Sequence, residues 1–180
     1  MIPFKLTEEL VKDIEQHIEN KNDAELTALF QDVHYADIAE IINELDDDEA
    51  TYLIKLLDSD KTSDILTELD EDIREAILGN LSSQEIASEL EELDTDDAAD
   101  IIGELPKEQV QDVISKIEDR EHAKDIVDLL RYAENSAGGL MAKELVKVNE
   151  NWNVLTCVKE MRAQAENVTR VHSIYVVDDE

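Results

Sequence analysis

Three aspartates in this sequence have the residue type and spacing to bind a divalent cation. Asp96 and Asp100 are four residues apart, so in a helix they project from the same face. Asp64 lies in the preceding copy of a repeated segment, and stacking of the copies allows it to approach that face. Mg2+ takes oxygen ligands, keeps several waters and needs only one or two carboxylates. Asp97 and Glu92 are further candidates, and the alternative interpretation is that all of these acids are ordinary solvated helix faces and caps.

The net charge of this 180-residue chain decides which partners it can attract. Its 47 Asp+Glu against 16 Lys+Arg give a formal charge of −31, and the excess of acids is concentrated in residues 1–142. Nucleic acid is excluded as a partner because phosphate binding needs the opposite sign, and an anionic membrane surface would repel the chain as well. Divalent cations and basic proteins would be attracted. Because the carboxylates repel one another, bound cations should stabilise the folded chain.

Other kinds of chemistry have little support in the sequence. Cys157 is the only cysteine, which excludes an internal disulfide and a cysteine-based zinc site. The four histidines show no metal-binding spacing, and acids are so abundant that pairs of carboxylates do not indicate acid–base catalysis. We therefore predict that the chain is not an enzyme. It also lacks a stretch of about 20 apolar residues, so direct insertion into a membrane is not expected.

A 24-residue repeat supplies the elements that position these acids. Each repeat reads as two helices of about ten residues, and units this short must stack to bury a core. The sequence therefore predicts a mainly α fold, a superhelical stack of short helices, with capping boxes where an N-cap residue is followed by Glu three positions later, at 46–49 and 82–85. Four apolar series keep the 24-residue step: Leu45, Leu69, Leu93 and Ile117; Leu57, Leu81, Leu105 and Leu129; Ile42, Leu66, Leu90 and Ile114; Ile54, Leu78, Ile102 and Ile126.

The pattern changes after Ala133, and we predict three regions. Residues 1–133 form an acidic superhelical N domain, which begins with two helices ahead of the repeats. Residues 134–144 form a junction that contains the sequence AGGLM. Residues 145–180 read as a strand, a helix over 154–165 and a strand over 172–177, which is the first half of an α/β module that stops before it can close. We therefore expect the chain to be part of a longer protein.

The sequence AGGLM, placed between an acidic helical repeat and a strand–helix–strand segment ending in IYVVDDE, resembles the cytosolic N-terminal region of MgtE-type magnesium transporters. The resemblance covers almost the whole chain. It implies a superhelical N domain followed by a tandem pair of CBS modules and a transmembrane channel domain, of which only the N domain and the start of the first CBS module are present here. It also implies a location at the cytoplasmic face of the cell membrane and a homodimer joined through the CBS pairs of the full-length protein.

The resemblance also implies which residues bind Mg2+. In this family, ion sites between the N domain and the CBS pair hold the closed state when cytosolic Mg2+ is high. The segment LDTDDAAD matches at Asp96 and Asp100, KTSDIL matches at Asp64, and the second glycine of AGGLM, Gly139, would supply a backbone carbonyl. The partner acids of the second CBS module are absent from this sequence, so we expect weak binding. The nucleotide cleft of a CBS pair cannot form from half of one module, and no nucleotide is expected.

Two other functions stay open at this stage. A helical repeat of similar kind occurs in the N-terminal part of a flagellar motor switch protein, and by that analogy the chain would be a protein-binding scaffold. The AGGLM junction and the strand–helix–strand segment argue against this alternative. A free-standing acidic partner of basic proteins is the third possibility. The reading frame after Glu180 would distinguish the transporter from the scaffold and from the free-standing acidic partner, since only the transporter would continue with a second CBS module and several hydrophobic spans.

Overall fold

The computed structural model describes residues 5–133, 135–165, 168, 171 and 173–178. Within them the chain forms eleven helices and two strands, none of these helices being long and apolar enough to cross a membrane. The contacts divide the chain into two compact units, Met1–Leu93 with Ile101–Ala123 and Asp94–Asp100 with Lys124–Glu180. The elements in chain order are α1 (Glu8–Glu19), α2 (Asp23–Phe30), α3 (Tyr35–Ile42), α4 (Asp47–Leu56), α5 (Ser59–Glu68), α6 (Glu71–Asn80), α7 (Ser83–Leu90), α8 (Thr95–Glu104), α9 (Lys107–Lys116), α10 (Arg120–Leu129), β1 (Val146–Asn149), α11 (Val154–Gln164) and β2 (Ile174–Val177).

Capping side chains set the starts of several helices. At α4 the Glu49 N–H donates to the Asp46 carboxylate at 2.9 Å, and the Glu49 carboxylate accepts from the Asp46 N–H at 3.3 Å. Ser82 and Glu85 make the same exchange at α7, so both predicted capping boxes are confirmed. The backbone N–H of Ser82 stabilises the ionised form of Glu85 and thereby lowers the pKa of that carboxyl. Pro106 is the N-cap residue of α9 and precedes its first turn.

The helices of the first unit pack according to the repeat. α3, α5, α7 and α9 begin at Tyr35, Ser59, Ser83 and Lys107, each 24 residues after the one before. Each of these helices contacts the next one in the series, and α4 contacts α6 in the same way. A repeat is therefore a pair of helices whose neighbours are the corresponding helices of the adjacent repeats. This arrangement confirms the predicted mainly α fold of stacked short helices.

The fold buries the apolar side chains that recur every 24 residues. Fourteen of the sixteen are buried, and the other two, Leu57 and Ile114, are half-buried. Leu57 lies in the connection between α4 and α5, where it lines a cavity of about 220 Å³ together with Leu81 and the polar side chains of α7. The apolar periodicity seen in the sequence is thus the periodicity of the core.

Hydrogen bonds between repeats recur at one position of the repeat. The Asn43 side chain accepts from the Asp70 N–H at 3.3 Å. Glu91, two repeats later, accepts from the Asp119 N–H at 3.3 Å and from the Glu118 N–H. Each accepting side chain follows the first helix of one repeat, and each donor lies at the start of the second helix of the next. The bonds therefore satisfy backbone N–H groups that a helix start leaves without a partner inside the helix.

Arg74 joins α6 to the end of α8 within the first unit. Its guanidinium donates to both carboxylate oxygens of Glu104, at 2.8 and 2.6 Å, and both side chains are largely buried. The same guanidinium donates to the carbonyls of Leu66 and Leu69, at 3.1 and 3.0 Å, where α5 ends. A two-pronged arginine–carboxylate pair fixes relative orientation as well as distance. Arg74 therefore holds three helices of the stack in one arrangement.

Glu89 places a carboxyl group inside the contact between α5 and α7. Its residue surface is 9% exposed, and it accepts a hydrogen bond of 2.5 Å from the hydroxyl of the fully buried Thr62. Burial disfavours the charged form and raises the pKa of Glu89 to about 7 from the ordinary 4.5, and the negative charges of Glu92 and Glu85 act in the same direction. The hydrogen bond from Thr62 opposes this shift. The folded chain therefore takes up a proton at Glu89 near neutral pH.

The second unit contains the two strands, which pair in parallel. Val146 lies opposite Ile174 and Asn149 lies opposite Val177, with α11 as the connection between the strands. The predicted order of strand, helix and strand is confirmed. His172, with which the sequence pattern begins the second strand, lies outside the described residues, and β2 begins at Ile174.

No residue of α11 is buried in this structure. Val154 and Leu155, which belong to the apolar side of this helix, are 76% and 83% exposed. All four residues of β2 are exposed as well. A sheet of two strands offers too little area to cover a helix face, so these apolar groups stay in contact with solvent in the part of the chain that the structure describes.

Truncation of the repeated core leucines should destabilise the fold strongly. Leu69→Ala and Leu93→Ala each leave a cavity in close-packed surroundings, and we expect each to lower the free energy of unfolding by roughly 2–5 kcal/mol. Urea unfolding followed by circular dichroism measures this. Leu29→Ala is the matched control, because Leu29 is an exposed leucine of α2. Midpoints for Leu69→Ala and Leu93→Ala that equal the control would contradict the assignment of this core.

Glu89 should make stability depend on pH in a specific direction. The folded state holds the proton of Glu89 more tightly than the unfolded state does. The stabilisation that this proton provides is therefore complete below about pH 4.5 and is lost as the pH rises through 7. Glu89→Gln is neutral at every pH and can still accept a hydrogen bond from Thr62. We expect the variant to gain about 2 kcal/mol over the parent between pH 5.5 and 8.5. Unfolding curves at the two pH values measure this difference. Glu68→Gln is the control, because Glu68 is exposed. If both variants gain equally over the parent, Glu89 titrates as an ordinary glutamate.

Candidate functional site

Two of the predicted ligands lie on the first turns of α8. Asp96 is half-buried in the first turn, and Asp100 is exposed one turn later. Their spacing of four residues places both on one side of the helix, as the sequence predicts. Asp96 also lies where negative charge complements the partial positive charge of a helix start. The two carboxylates thus lie near the start of α8, and that of Asp100 is exposed to solvent.

The amino end of α8 is held by a segment far away in the sequence. Thr95 is 2% exposed, and its N–H and hydroxyl donate to the two carboxylate oxygens of Glu144, each at 3.0 Å. The Lys143 N–H in turn donates to the Thr95 hydroxyl oxygen at 3.2 Å. These three hydrogen bonds, which we call the Thr95 clasp, join the start of α8 to the residues that follow AGGLM. The carboxylate of Glu144 also complements the helix dipole there.

An ion pair gives the same segment a second attachment. The Lys143 ammonium donates to the Asp128 carboxylate on α10 at 2.7 Å. That hydrogen bond lowers the pKa of Asp128 and raises the pKa of Lys143, since each group favours the charged form of the other. Lys143 and Glu144 therefore attach one short stretch of chain to residues of α8 and α10 that belong to the second unit.

The AGGLM junction consists of consecutive turns. The Gly139 N–H donates to the Ser136 hydroxyl at 3.2 Å, and the Leu140 N–H donates to the Ser136 carbonyl at 3.1 Å. A side chain at Gly138 would collide with the ring of Tyr132, so this position needs a glycine unless the ring moves. Gly139 is half-buried in this turn.

The structure places three of the four predicted ligands in one compact unit. Asp96, Asp100 and Gly139 belong to the unit of Asp94–Asp100 and Lys124–Glu180. Asp64 belongs to the other unit, where it is half-buried on α5 and its backbone carbonyl accepts from the Thr67 hydroxyl at 2.8 Å. All of the candidate donor atoms are oxygens, which fits Mg2+. Among the described residues, however, no group of three or more His, Cys, Asp or Glu side chains is placed to hold a metal ion. The ligand set stays a prediction.

Sequence reasoning missed the residues of the Thr95 clasp. The contact joins positions 49 apart, which no local pattern reveals. One signal was nevertheless present in the repeat. Thr95 occupies the position at which the other three repeats carry an acid, namely Asp47, Glu71 and Asp119. An acid there would repel Glu144, so the neutral residue at this position of the repeat is compatible with the carboxylate partner that the structure shows.

Comparison with known proteins identifies a matching family and a related transporter. The family described as the MgtE intracellular N domain matches residues 33–135. The magnesium transporter MgtE of Enterococcus faecalis (strain ATCC 700802 / V583) is 33% identical over 60 residues, which are 33% of this chain and 13% of that protein. The aligned region is thus a small part of the transporter's length.

Two solved structures match almost the whole chain. The crystal structure of the soluble part of a magnesium transporter has a TM-score of 0.75 at 26% identity, covering 96% of this chain and 68% of that one. The crystal structure of the cytosolic domain of the Mg2+ channel MgtE in complex with ATP has a TM-score of 0.81 at 26% identity, covering 94% and 69%. These relatives are named as parts of transporters or channels and not as enzymes. With more than half of its residues matched by the family, this chain belongs to the MgtE intracellular N domain family.

Proposed function

We propose that this chain is the cytosolic Mg2+-sensing regulatory region of an MgtE-type magnesium transporter or channel. Mg2+ that binds between the N domain and the CBS modules would favour the closed state of the pore and so reduce transport when cytosolic Mg2+ is high. In this proposal the chain performs no catalysis and acts as a sensor at the cytoplasmic face of the membrane. The match of residues 33–135 to the MgtE intracellular N domain is the observation that carries it.

The charge of the chain supports a sensor that responds to cations. With 47 acidic against 16 basic residues, the folded chain opposes its own compactness through charge repulsion. A ligand that binds one arrangement more tightly than another shifts the population toward it by the difference in binding free energy. A divalent cation between acidic surfaces supplies such a difference, because it replaces repulsion by attraction. This is the physical basis on which Mg2+ would draw the N domain toward its partner domains.

The partners in this proposal are other parts of the same full-length protein. They are the completed CBS pair, which would contribute further acids, and the transmembrane domain that carries the ion. A homodimer formed through the CBS pairs is part of the same proposal. The strand–helix–strand of the second unit supports this view, since its exposed apolar groups on α11 and β2 offer a surface that a partner can cover.

Within this chain the proposed ligands are Asp96, Asp100 and Asp64 through their carboxylates and Gly139 through its carbonyl. Asp96 and Asp100 share one side of α8, and Gly139 lies in the same compact unit. Mg2+ keeps several of its waters, so a few protein oxygens are sufficient for weak binding. We expect affinity to be low, since the CBS half of each site lies outside this chain.

Millimolar Mg2+ should raise the melting temperature of this chain by a degree or two more than NaCl of matched ionic strength does. The specific excess should disappear in the double variant Asp96→Asn/Asp100→Asn. Glu71→Gln/Glu75→Gln is the matched control, because these two exposed acids of α6 have the same spacing and lie in the first two turns of their helix. Differential scanning fluorimetry in both salts measures all three proteins. If the Asn variant and the control respond to Mg2+ as the parent does, the acids of α8 are not the sensor.

A further inference from the structure

The Thr95 clasp lies directly beside a proposed Mg2+ ligand. Thr95 precedes Asp96 in the chain, and both of its donors are taken by the carboxylate of Glu144, each at 3.0 Å. A carboxylate that accepts from two groups of one residue is fixed in orientation as well as in position. The bonds also satisfy a backbone N–H at the start of α8 that has no partner inside the helix. The direction in which α8 begins therefore depends on Glu144.

The clasp also limits where the AGGLM junction can lie. Only four residues lie between Gly139 and Glu144, so even a fully extended chain would span about 17 Å between their Cα atoms. The Lys143–Asp128 ion pair, at 2.7 Å, attaches the same stretch to α10 and restricts it further. Gly139 and Asp96 thus have a bounded separation although they are far apart in sequence. Everything in this arrangement belongs to one compact unit.

We infer that Glu144 is a positioning residue for the Mg2+ site of α8, and that it acts through Thr95 to limit the separation between Asp96 and the Gly139 junction. This inference rests on the function proposed above. Without the clasp, binding an ion would require the two segments to be ordered at the same time, and the entropy lost would weaken affinity. Partners that orient metal ligands contribute to affinity in this way without touching the ion.

The clasp can be weakened without changing the charge of the chain. Thr95→Val removes the hydroxyl, and with it two of the three hydrogen bonds of the clasp, and keeps the shape of the side chain. The bond from the backbone N–H of residue 95 to Glu144 remains. A Mg2+ titration at constant ionic strength, followed by 15N–1H correlation spectra, reports binding at the amides of Asp96 and Gly139 separately. In the parent we expect both amides to shift with one midpoint. In Thr95→Val we expect midpoints about tenfold higher and different from each other.

Three further variants separate positioning from charge and from folding. Glu144→Ala should weaken binding at least as much as Thr95→Val, whereas Glu150→Gln, which removes one exposed charge from the same unit, should leave the midpoint within about twofold. Melting without Mg2+ verifies that each variant is folded. Glu144→Gln, which keeps one acceptor oxygen for the Thr95 N–H, replaces Thr95→Val if that protein does not fold.

The outcomes distinguish this inference from the function on which it rests. Parent-like midpoints in Thr95→Val would overturn the inference, and so would equal weakening by Glu144→Ala and Glu150→Gln, since charge alone would then explain the effect. If Asp96→Asn/Asp100→Asn also leaves the titration unchanged, the proposed Mg2+ sensing itself is wrong. Loss of binding in that double variant with unchanged binding in Thr95→Val would reject only the role of Glu144.

Discussion

The fold depends on one constraint, which is the small size of the repeat. A unit of 24 residues that folds as two helices of at most ten residues is too small to enclose a core. Each apolar helix face must be covered by the corresponding helix of the next repeat. This requirement explains why the same four positions are apolar in every repeat and why almost all of them are buried. It also leaves outer positions free to carry acids, because the apolar core is closed without them.

Basic residues are scarce in this chain, and the structure uses some of them to connect helices. The Lys61 ammonium donates to the carbonyls of Phe30, Gln31 and Val33, at 2.7, 3.0 and 3.3 Å, where α2 ends. Arg74 does the same at the end of α5, and Lys143 secures the junction to α10. A cation at the carboxyl end of a helix opposes the partial negative charge there. These three basic residues are therefore used in structure, and the 47 acidic residues far outnumber the basic residues that remain.

The sequence predicted the helices well because their causes are local and repeated. The 24-residue step, the capping boxes at Asp46 and Ser82, and the strand–helix–strand order all follow from neighbouring residues. The Arg74–Glu104 pair and the Thr95 clasp could not be predicted in this way, since their partners are 30 and 49 residues apart. For the site, the sequence placed Asp96 and Asp100 on one helix, but their use as ligands came from family resemblance and stays a prediction.

Helices of the series α3, α5, α7 and α9 contact the corresponding helices of adjacent repeats, which has a consequence for motion. In such a nearest-neighbour arrangement stability is a sum of local interface terms, so opening can start at one interface and spread stepwise. Amide hydrogens would then exchange with graded and not uniform protection along the stack. A perturbation at one repeat loses strength with each interface that it crosses.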